Sequence, residues 1–201
     1  MRTAVAMFLA LASLLHASAA WAGVLQDGLA AYAAKHYVTA FELLKPLAER
    51  GNSRAQFVVG DLCVFEAGVS CDSKSGIRWL TAAAEKGNAD AQDDLGTVYY
   101  EGSIGVPQNY KSALRWLSKS AAQGNSIAQE LLSSMYRFGL GVRKNNVQAY
   151  MWLSVVLAHG DAGVDTVNDS LETEMTPAQI AKAQALALIC MKSNYKQCGE
   201  P

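Results

Sequence analysis

Histidine is the side chain that acts most often as a base or a metal ligand near neutral pH. After residue 22 the chain has only His36 and His159, which are far apart in the sequence. His159 falls at a predicted helix end, where a histidine usually interacts with the helix dipole. The glycine-containing stretch 102–105 lacks the spacing of a phosphate-binding loop, and the sequence contains neither G-x-S-x-G nor H-E-x-x-H. We therefore predict no catalytic residue, no metal site and no cofactor.

Two pairs of carboxylates lie close together in the sequence. Asp93 and Asp94 are neighbours on a predicted helix, so their side chains point in different directions. Glu172 and Glu174 are two residues apart in a segment without a clear period. Neither pair has the arrangement of an acid–base dyad, and we expect all four side chains to be solvated.

The four cysteines favour structural rather than redox chemistry. Each of the pairs Cys63/Cys71 and Cys190/Cys198 is separated by eight residues, which is not the C-x-x-C spacing of redox and zinc sites. Four cysteines allow three connectivities. We predict Cys63–Cys71 and Cys190–Cys198, because both spacings are short and equal.

Residues 1–22 have the pattern of a secretory signal peptide. Arg2 precedes an apolar stretch, and Ala20-Trp21-Ala22 forms an A-x-A cleavage motif. The alternative is an uncleaved anchor, which needs about 20 apolar residues. We predict cleavage near Ala22 and a periplasmic or secreted mature chain, in which an even number of cysteines is typical of disulfides. No later stretch is long and apolar enough to span a membrane.

The composition is that of a globular protein with a sizeable core. Of 201 residues, 51% are hydrophobic and 17% charged, with a formal net charge of −1. A nucleic-acid-binding protein usually carries a basic face. The near-neutral charge therefore argues against nucleic acid as a partner.

A phrase that occurs three times organises the chain. The copies are GNSRAQFVVG (51–60), GNADAQDDLG (87–96) and GNSIAQELLS (124–133). Counted from the alanine of each copy, the apolar or small residues at +0, +4, +5, +7 and +8 follow the helical period. A tryptophan followed by leucine recurs in a second helical segment, at Trp79, Trp116 and Trp152. Each copy is therefore predicted to form two helices.

The glycines of the phrase predict two structural features. The glycine of each "GN" can end one helix, and Asn52, Asn88 and Asn125 can cap the next. Inside the first helix, Gly60 and Gly96 each cost about 1 kcal/mol relative to alanine. Their recurrence predicts that a second helix passes close by, with the tryptophan as the matching bulky side chain.

The repeated pattern A-Q-x-x-L-G-x-x-Y-x-x-G-x-G-V, followed by A-x-x-W-x-x-x-A-A-x-x-G, resembles Sel1-like repeats. Residues 91–124 match it best, and a looser, shortened copy precedes the three full ones. The resemblance implies an all-α protein: an α-solenoid of stacked antiparallel helical hairpins, related to tetratricopeptide repeats and wound as a right-handed superhelix. After the signal peptide (1–22), we predict a solenoid at 23–160 and a C-terminal helical cap and tail at 161–201. The predicted solenoid units are 24–51, 52–87, 88–124 and 125–160.

The predicted cap contains one clear helix. Thr176 and Gln179 form a capping box, with proline at the first helical position. We expect this helix to continue to about Tyr195. It should cover the extra apolar residues Val155 and Val156 of the last unit.

A stripe of positions on the first helix of each unit varies in residue type while the core positions repeat. We call these positions, +2, +6 and +9 from the alanine, the first-helix stripe. First helices line the concave face in solenoids of helical hairpins, so this stripe is our candidate binding groove. Its alternative is a merely solvated surface. The stripe consists of Phe57, Asp61 and Val64; Asp93, Thr97 and Tyr100; and Glu130, Ser134 and Arg137.

The resemblance implies a noncatalytic scaffold or adaptor that binds another protein or peptide, in the bacterial envelope or as a secreted protein. A second hypothesis comes from cysteine-rich Sel1-like proteins, some of which are associated with β-lactam binding or hydrolysis. It predicts a cell-wall-associated protein that binds or hydrolyses β-lactams or peptidoglycan. Cysteines of that subfamily typically bridge one helix pair to the next, unlike the short-range pairs predicted here.

Overall fold

The computed structural model describes residues 21–65, 68–102, 105–160 and 170–198, and these form helices without any strand. Most of the predicted signal peptide (1–20) and part of the predicted cap (161–169) lie outside the described residues. One further helical turn occurs at 170–172. The helices are 21–33 (α1), Tyr37–Glu49 (α2), Ser53–Phe65 (α3), Ser73–Glu85 (α4), Ala89–Glu101 (α5), Tyr110–Ala121 (α6), Ser126–Phe138 (α7), Asn146–Ala158 (α8) and Pro177–Lys192 (α9).

The helices group into two compact units that divide between Lys86 and Gly87. In unit 1, α3 packs against both α2 and α4. In unit 2, each helix from α5 to α9 packs against the next one along the chain. Short connections make consecutive helices antiparallel, so both units are stacks of helical hairpins. The all-α prediction and the hairpin architecture are confirmed.

The Gly-Asn junctions have the predicted chemistry. Gly51 and Gly124 have φ angles of +87° and +90°, the left-handed conformation that ends a helix. The next residue caps the following helix: Asn52 Oδ1 accepts a hydrogen bond from the Ala55 amide at 3.0 Å, and Asn125 Oδ1 accepts one from Ala128 at 3.0 Å. Asn88 makes the equivalent bond to the Ala91 amide at 2.7 Å. The capping prediction is therefore confirmed.

The repeated glutamine connects successive hairpins, a role that the sequence did not reveal. Gln56 Nε2 donates to the Ala48 carbonyl at 3.1 Å, and Gln129 Nε2 donates to the Ala121 carbonyl at 3.2 Å. Both acceptors lie in the last turn of the preceding helix, where carbonyls lack an intrahelical partner. The glutamine thus satisfies a buried carbonyl and joins one hairpin to the next.

The helical glycines mark close helix approaches, but their partner is leucine rather than tryptophan. A Cβ added to Gly60 would lie 2.8 Å from the backbone nitrogen of Leu80, and one added to Gly96 would lie 2.5 Å from the Leu117 side chain. Leu80 and Leu117 directly follow the recurring tryptophans Trp79 and Trp116. The prediction that the tryptophan packs against the helical glycine is therefore wrong. The tryptophan points elsewhere because neighbouring residues of a helix face different directions. Trp116, for example, has the Lys119 ammonium 4.7 Å from its ring centroid.

In the third copy, serine replaces the helical glycine. Ser133 is buried, and its hydroxyl donates to the Ala149 carbonyl of α8 at 2.8 Å. The hydroxyl therefore finds a partner on the helix that faces it. A small residue suffices at this position when its polar atom is satisfied.

Both cysteine pairs lie at disulfide distance in the predicted connectivity. The Sγ atoms of Cys63 and Cys71 are 2.08 Å apart and join the end of α3 to the loop before α4. The Sγ atoms of Cys190 and Cys198 are 1.91 Å apart and join α9 to the tail that follows it. Each bond thus fixes a loop or tail next to a helix end.

The C-terminal helix has the predicted capping box between Thr176 and Gln179. It packs against α8, and Val155 lies in the shared core. The helix ends at Lys192, before the expected Tyr195, because Asn194 and Tyr195 adopt left-handed φ angles of 53° and 62°. None of the described helices is long and apolar enough to cross a membrane.

Gly60→Ala should destabilise the protein. The added methyl group has no room beside the backbone of Leu80, and overpacking of this kind costs about 1–3 kcal/mol, more than the higher helix propensity of alanine returns. We expect a lower urea midpoint with an unchanged slope. Ser118→Ala on the exposed side of α6 is the control and should change stability little. A Gly60→Ala protein as stable as the parent would contradict the close approach.

Candidate functional site: the first-helix stripe

In unit 1, the stripe contains a carboxylate that is held by a tyrosine. The Tyr32 hydroxyl of α1 donates to Asp61 Oδ2 of α3 at 2.6 Å. Phe57 is half-buried and packs against the unit-1 core, while Val64 is buried. Val64 is therefore a core residue, whereas the sequence predicted a surface residue at this position. Sequence reasoning missed Tyr32, because it lies in the shortened first hairpin, where the repeat gives no register.

In unit 2, Asp93 is buried, contrary to the expectation that it is solvated. Asp93 is only 7% exposed, and its Oδ1 has no hydrogen-bond partner among the residues that the structure describes. Burial, followed by the nearby charge of Asp90, raises the pKa of the Asp93 carboxyl to about 6. Near neutral pH this carboxyl is therefore a costly buried charge without a fixed counter-ion.

The other two α5 positions lie on the same face of the helix as Asp93 and carry a hydroxyl and an aromatic ring. Thr97 and Tyr100 are half-buried. The Tyr100 ring lies edge-on to Tyr110, with 5.6 Å between centroids. Burial, followed by the neighbouring Tyr110 and Glu101, raises the pKa of the Tyr100 phenol, so this side chain is a neutral hydrogen-bonding group.

The α7 part of the stripe ends in an ion pair with the C-terminal segment. Arg137 Nη2 lies 3.0 Å from Glu174 Oε1, and it also donates to the Ser170 hydroxyl at 2.9 Å. The hydrogen bond from Arg137 is the main cause that lowers the pKa of Glu174, with Asn146 and Lys144 contributing less. Glu174 is exposed to solvent, as expected, and it is also ion-paired.

Glu172 is also engaged rather than free in solvent. Its Oε1 accepts a hydrogen bond from the Tyr150 hydroxyl of α8. Glu130 and Ser134, the remaining stripe residues of α7, are half-buried. In unit 2, α5 and α7 are in contact, so the structure places their stripe residues on neighbouring helices.

The described residues include one sequence spacing that is associated with covalent catalysis. One S-x-x-K spacing occurs, from Ser193 to Lys196. This spacing is that of the nucleophilic serine and the lysine in class A β-lactamases and penicillin-binding proteins. Ser193 instead stabilises the end of α9: its hydroxyl donates to the Cys190 carbonyl at 2.8 Å and accepts from the Gln197 amide at 2.9 Å. No cluster of three potential metal ligands occurs among the described side chains.

Comparison with known proteins explains the repeated architecture. The model of the Sel1 repeat matches residues 53–88, 89–125 and 126–154, which together make up half of the chain. The chain belongs to the Sel1 repeat family. Sel1 repeats typically mediate protein–protein interactions, and proteins of this fold are generally noncatalytic scaffolds. No sequence among the curated proteins matches the chain.

Two solved structures of Sel1-type proteins are similar to this chain. One is c5321, a protective antigen of uropathogenic Escherichia coli, with 29% identity, a TM-score of 0.71 and coverage of 80% of this chain. The chain spans only 34% of c5321, about a third of its length. The other is a Sel1 repeat protein from Oxalobacter formigenes, with 30% identity and a TM-score of 0.56, covering 59% of this chain and 90% of that protein.

Asp93→Asn should stabilise the protein at pH 7.5 and flatten its pH dependence. Because the folded-state pKa is raised, the folded protein binds a proton more tightly than the unfolded chain does. The contribution of Asp93 to stability therefore improves as pH falls from about 7 towards 4. Asparagine removes the buried charge, which we expect to add about 1–2 kcal/mol at pH 7.5. Urea unfolding at several pH values measures both effects.

The matched control for Asp93→Asn is Glu85→Gln, which neutralises an exposed carboxylate on α4. This control should leave the pH profile nearly unchanged. An Asp93→Asn protein that is less stable than the parent at pH 7.5 would mean that the charged form is favourably held. That result would contradict the description of Asp93 as a costly charge.

Proposed function

We propose that this protein is a noncatalytic, exported scaffold that binds another protein or peptide through the first-helix stripe. The repeated positions of each unit pack helices or cap them, so they are not available to a partner. The stripe positions differ between units, and most of them are partly exposed. Partner recognition at these positions would leave the packing pattern intact.

The observation that supports this proposal best is the unpartnered carboxylate oxygen of Asp93. Buried ionisable groups without partners reduce stability, and strongly perturbed groups cluster at functional sites. Because this oxygen itself is buried, the partly exposed Thr97 and Tyr100 on the same helix would make the direct contacts with the partner. Tyr100, on the same helix, supplies the type of aromatic surface that is enriched in protein interfaces.

Two features support export. The leader-like residues 1–22 have the pattern of a signal peptide. All four cysteines of the chain lie at disulfide distance in pairs, and structural disulfides persist in oxidising compartments such as the periplasm. A periplasmic or secreted location would satisfy both features.

The cell-wall hypothesis has less support. Ser193, the serine of the S-x-x-K spacing, makes two hydrogen bonds that hold it at the end of α9. A β-lactam turnover assay on the oxidised chain distinguishes the two functions. We expect no turnover above that of a heat-denatured sample.

Replacing both Asp93 and Tyr100 should weaken binding of the partner. Photo-crosslinking from Thr97 in the periplasmic fraction identifies the partner, with crosslinking from Ser118 on α6 as the positional control. Binding of that purified partner is then measured for the Asp93→Asn/Tyr100→Ala variant. We expect affinity to fall at least about tenfold, because individual interface anchors contribute more than 1 kcal/mol.

The control for this variant is Ser118→Ala/Lys119→Ala, which changes two exposed positions on α6. Circular dichroism checks that both variants are folded. Equal affinity of the stripe variant and the parent would exclude Asp93 and Tyr100 as binding residues. The binding surface would then lie elsewhere.

Mass spectrometry of the chain recovered separately from the periplasmic and cytoplasmic fractions tests export and cleavage. We expect a chain that begins near Gly23 and lacks the hydrogens of the four thiols, as two disulfides require. Reducing agent should restore those hydrogens. A chain that keeps residues 1–22 and reacts with thiol reagents without prior reduction would contradict export.

A further inference from the structure

A cleft of about 510 Å³ lies in unit 1 beside the junction of α2 and α3. Its floor is the Gly-Asn junction, and its sides come from α1 and the end of α2. Trp21 stands at this cleft, with the Arg50 guanidinium carbon 4.5 Å from its ring. The described residues that line it are Trp21, Ala22, Leu25, Leu47, Arg50, Gly51 and Asn52.

The Gly51-Asn52 junction at this cleft is fixed by hydrogen bonds. The Gly51 amide donates to the Ala48 carbonyl at 2.9 Å, and the Asn52 amide donates to the Leu47 carbonyl at 3.0 Å. The Lys86 ammonium donates to the Gly51 carbonyl at 2.6 Å. A surface held in this way is preformed, so a ligand would lose little free energy in ordering it.

In unit 2 an aromatic ring lies directly against a Gly-Asn junction, whereas a Cβ added at Gly51 in unit 1 would meet the Lys86 ammonium at 3.2 Å and not the Trp21 ring. A Cβ added to Gly124 would lie 3.0 Å from the Tyr195 ring. A glycine in the left-handed conformation has no side chain, which leaves room for a ring to approach the backbone. At this junction the ring is permanent, because Tyr195 lies within the loop closed by Cys190 and Cys198.

The ring in unit 1 has a different status. Trp21 precedes the predicted cleavage point at Ala22, so export would remove it from the cleft. What remains is an apolar wall containing Leu25 and Leu47, with the Arg50 guanidinium above it. Arginine over an aromatic face is a favourable arrangement, and the processed chain has lost the indole that occupied it.

We propose that, in the processed chain, this cleft binds an aromatic side chain of the partner in the place that Trp21 occupies in the full chain. The ring lies against Leu25 and Leu47 and beneath Arg50. This inference rests on the export part of the proposed function. It adds a second contact site, in unit 1, with a defined ligand class: a tryptophan or another aromatic side chain.

The test uses the processed chain purified from the periplasm, with its N-terminus checked by mass spectrometry. The probe is N-acetyl-L-tryptophanamide, and N-acetyl-L-leucinamide is the apolar control. Backbone amide NMR shifts of Gly51 and Asn52 report binding. We expect saturable shifts at these two amides with the tryptophan probe and at least fivefold weaker binding of the leucine probe.

Arg50→Gln should weaken binding of the tryptophan probe at least threefold, and Arg50→Lys should restore part of the loss. Arg54→Gln, at an exposed arginine on α3 outside the cleft, is the matched control and should bind as the parent does. Absence of saturable shifts in the processed chain, or equal binding of both probes, overturns the inference alone. A periplasmic chain that retains residues 1–22 overturns the predicted cleavage, and the inference with it, since Trp21 then stays in the cleft.

Discussion

The close approach of paired helices at small residues is the constraint on which the rest of this structure depends. At Gly60 and Gly96 the facing leucine occupies the space that a Cβ would need. At Ser133 the small side chain also donates a hydrogen bond to the opposite helix. Side-chain packing in interiors is dense, so these contacts fix how each hairpin closes. The glutamine bonds to Ala48 and Ala121 then fix how one hairpin follows another within each unit.

Much of this scaffold was predictable because its signals are local. A helix period, a left-handed glycine and a capping asparagine depend on a few adjacent residues, and the phrase repeats them in register. The identity of the residue facing Gly60 was not predictable in the same way. It depends on the rotation of α4 about its own axis, and a difference of one residue separates Trp79 from Leu80. The early end of α9 was not predictable either, because the backbone adopts a left-handed conformation at Asn194 and Tyr195, where no glycine signals it.

The candidate site was less predictable than the scaffold. Spacing placed Asp93 and Arg137 on one face of their helices, but burial and pairing depend on parts of the chain that carry no repeat. Arg137 finds Glu174 in the cap, and Asp61 finds Tyr32 in the shortened first hairpin. Asp93 remains buried with an unpartnered oxygen. These three stripe residues therefore have different surroundings, although the repeat places all of them on the same face of the first helices.

This difference supports a division of labour within the repeated phrase. The residues that recur in every copy terminate, cap or pack the helices, and a change in any of them disturbs the fold. The residues that vary between copies are less constrained by packing, so they can adapt to a partner. Asp93 shows the cost of that freedom, since burying its charge opposes folding.

Hydroxyl-radical footprinting of the complex tests this division most directly, because it reports side-chain exposure residue by residue. We expect oxidation of Phe57 and Tyr100 to fall when the partner binds, while oxidation of the exposed Leu188 and Ile189 on α9 stays unchanged. Protection of the α9 residues with no change at Phe57 and Tyr100 would contradict it. In that case the variable letters of the first helices would not form the binding surface.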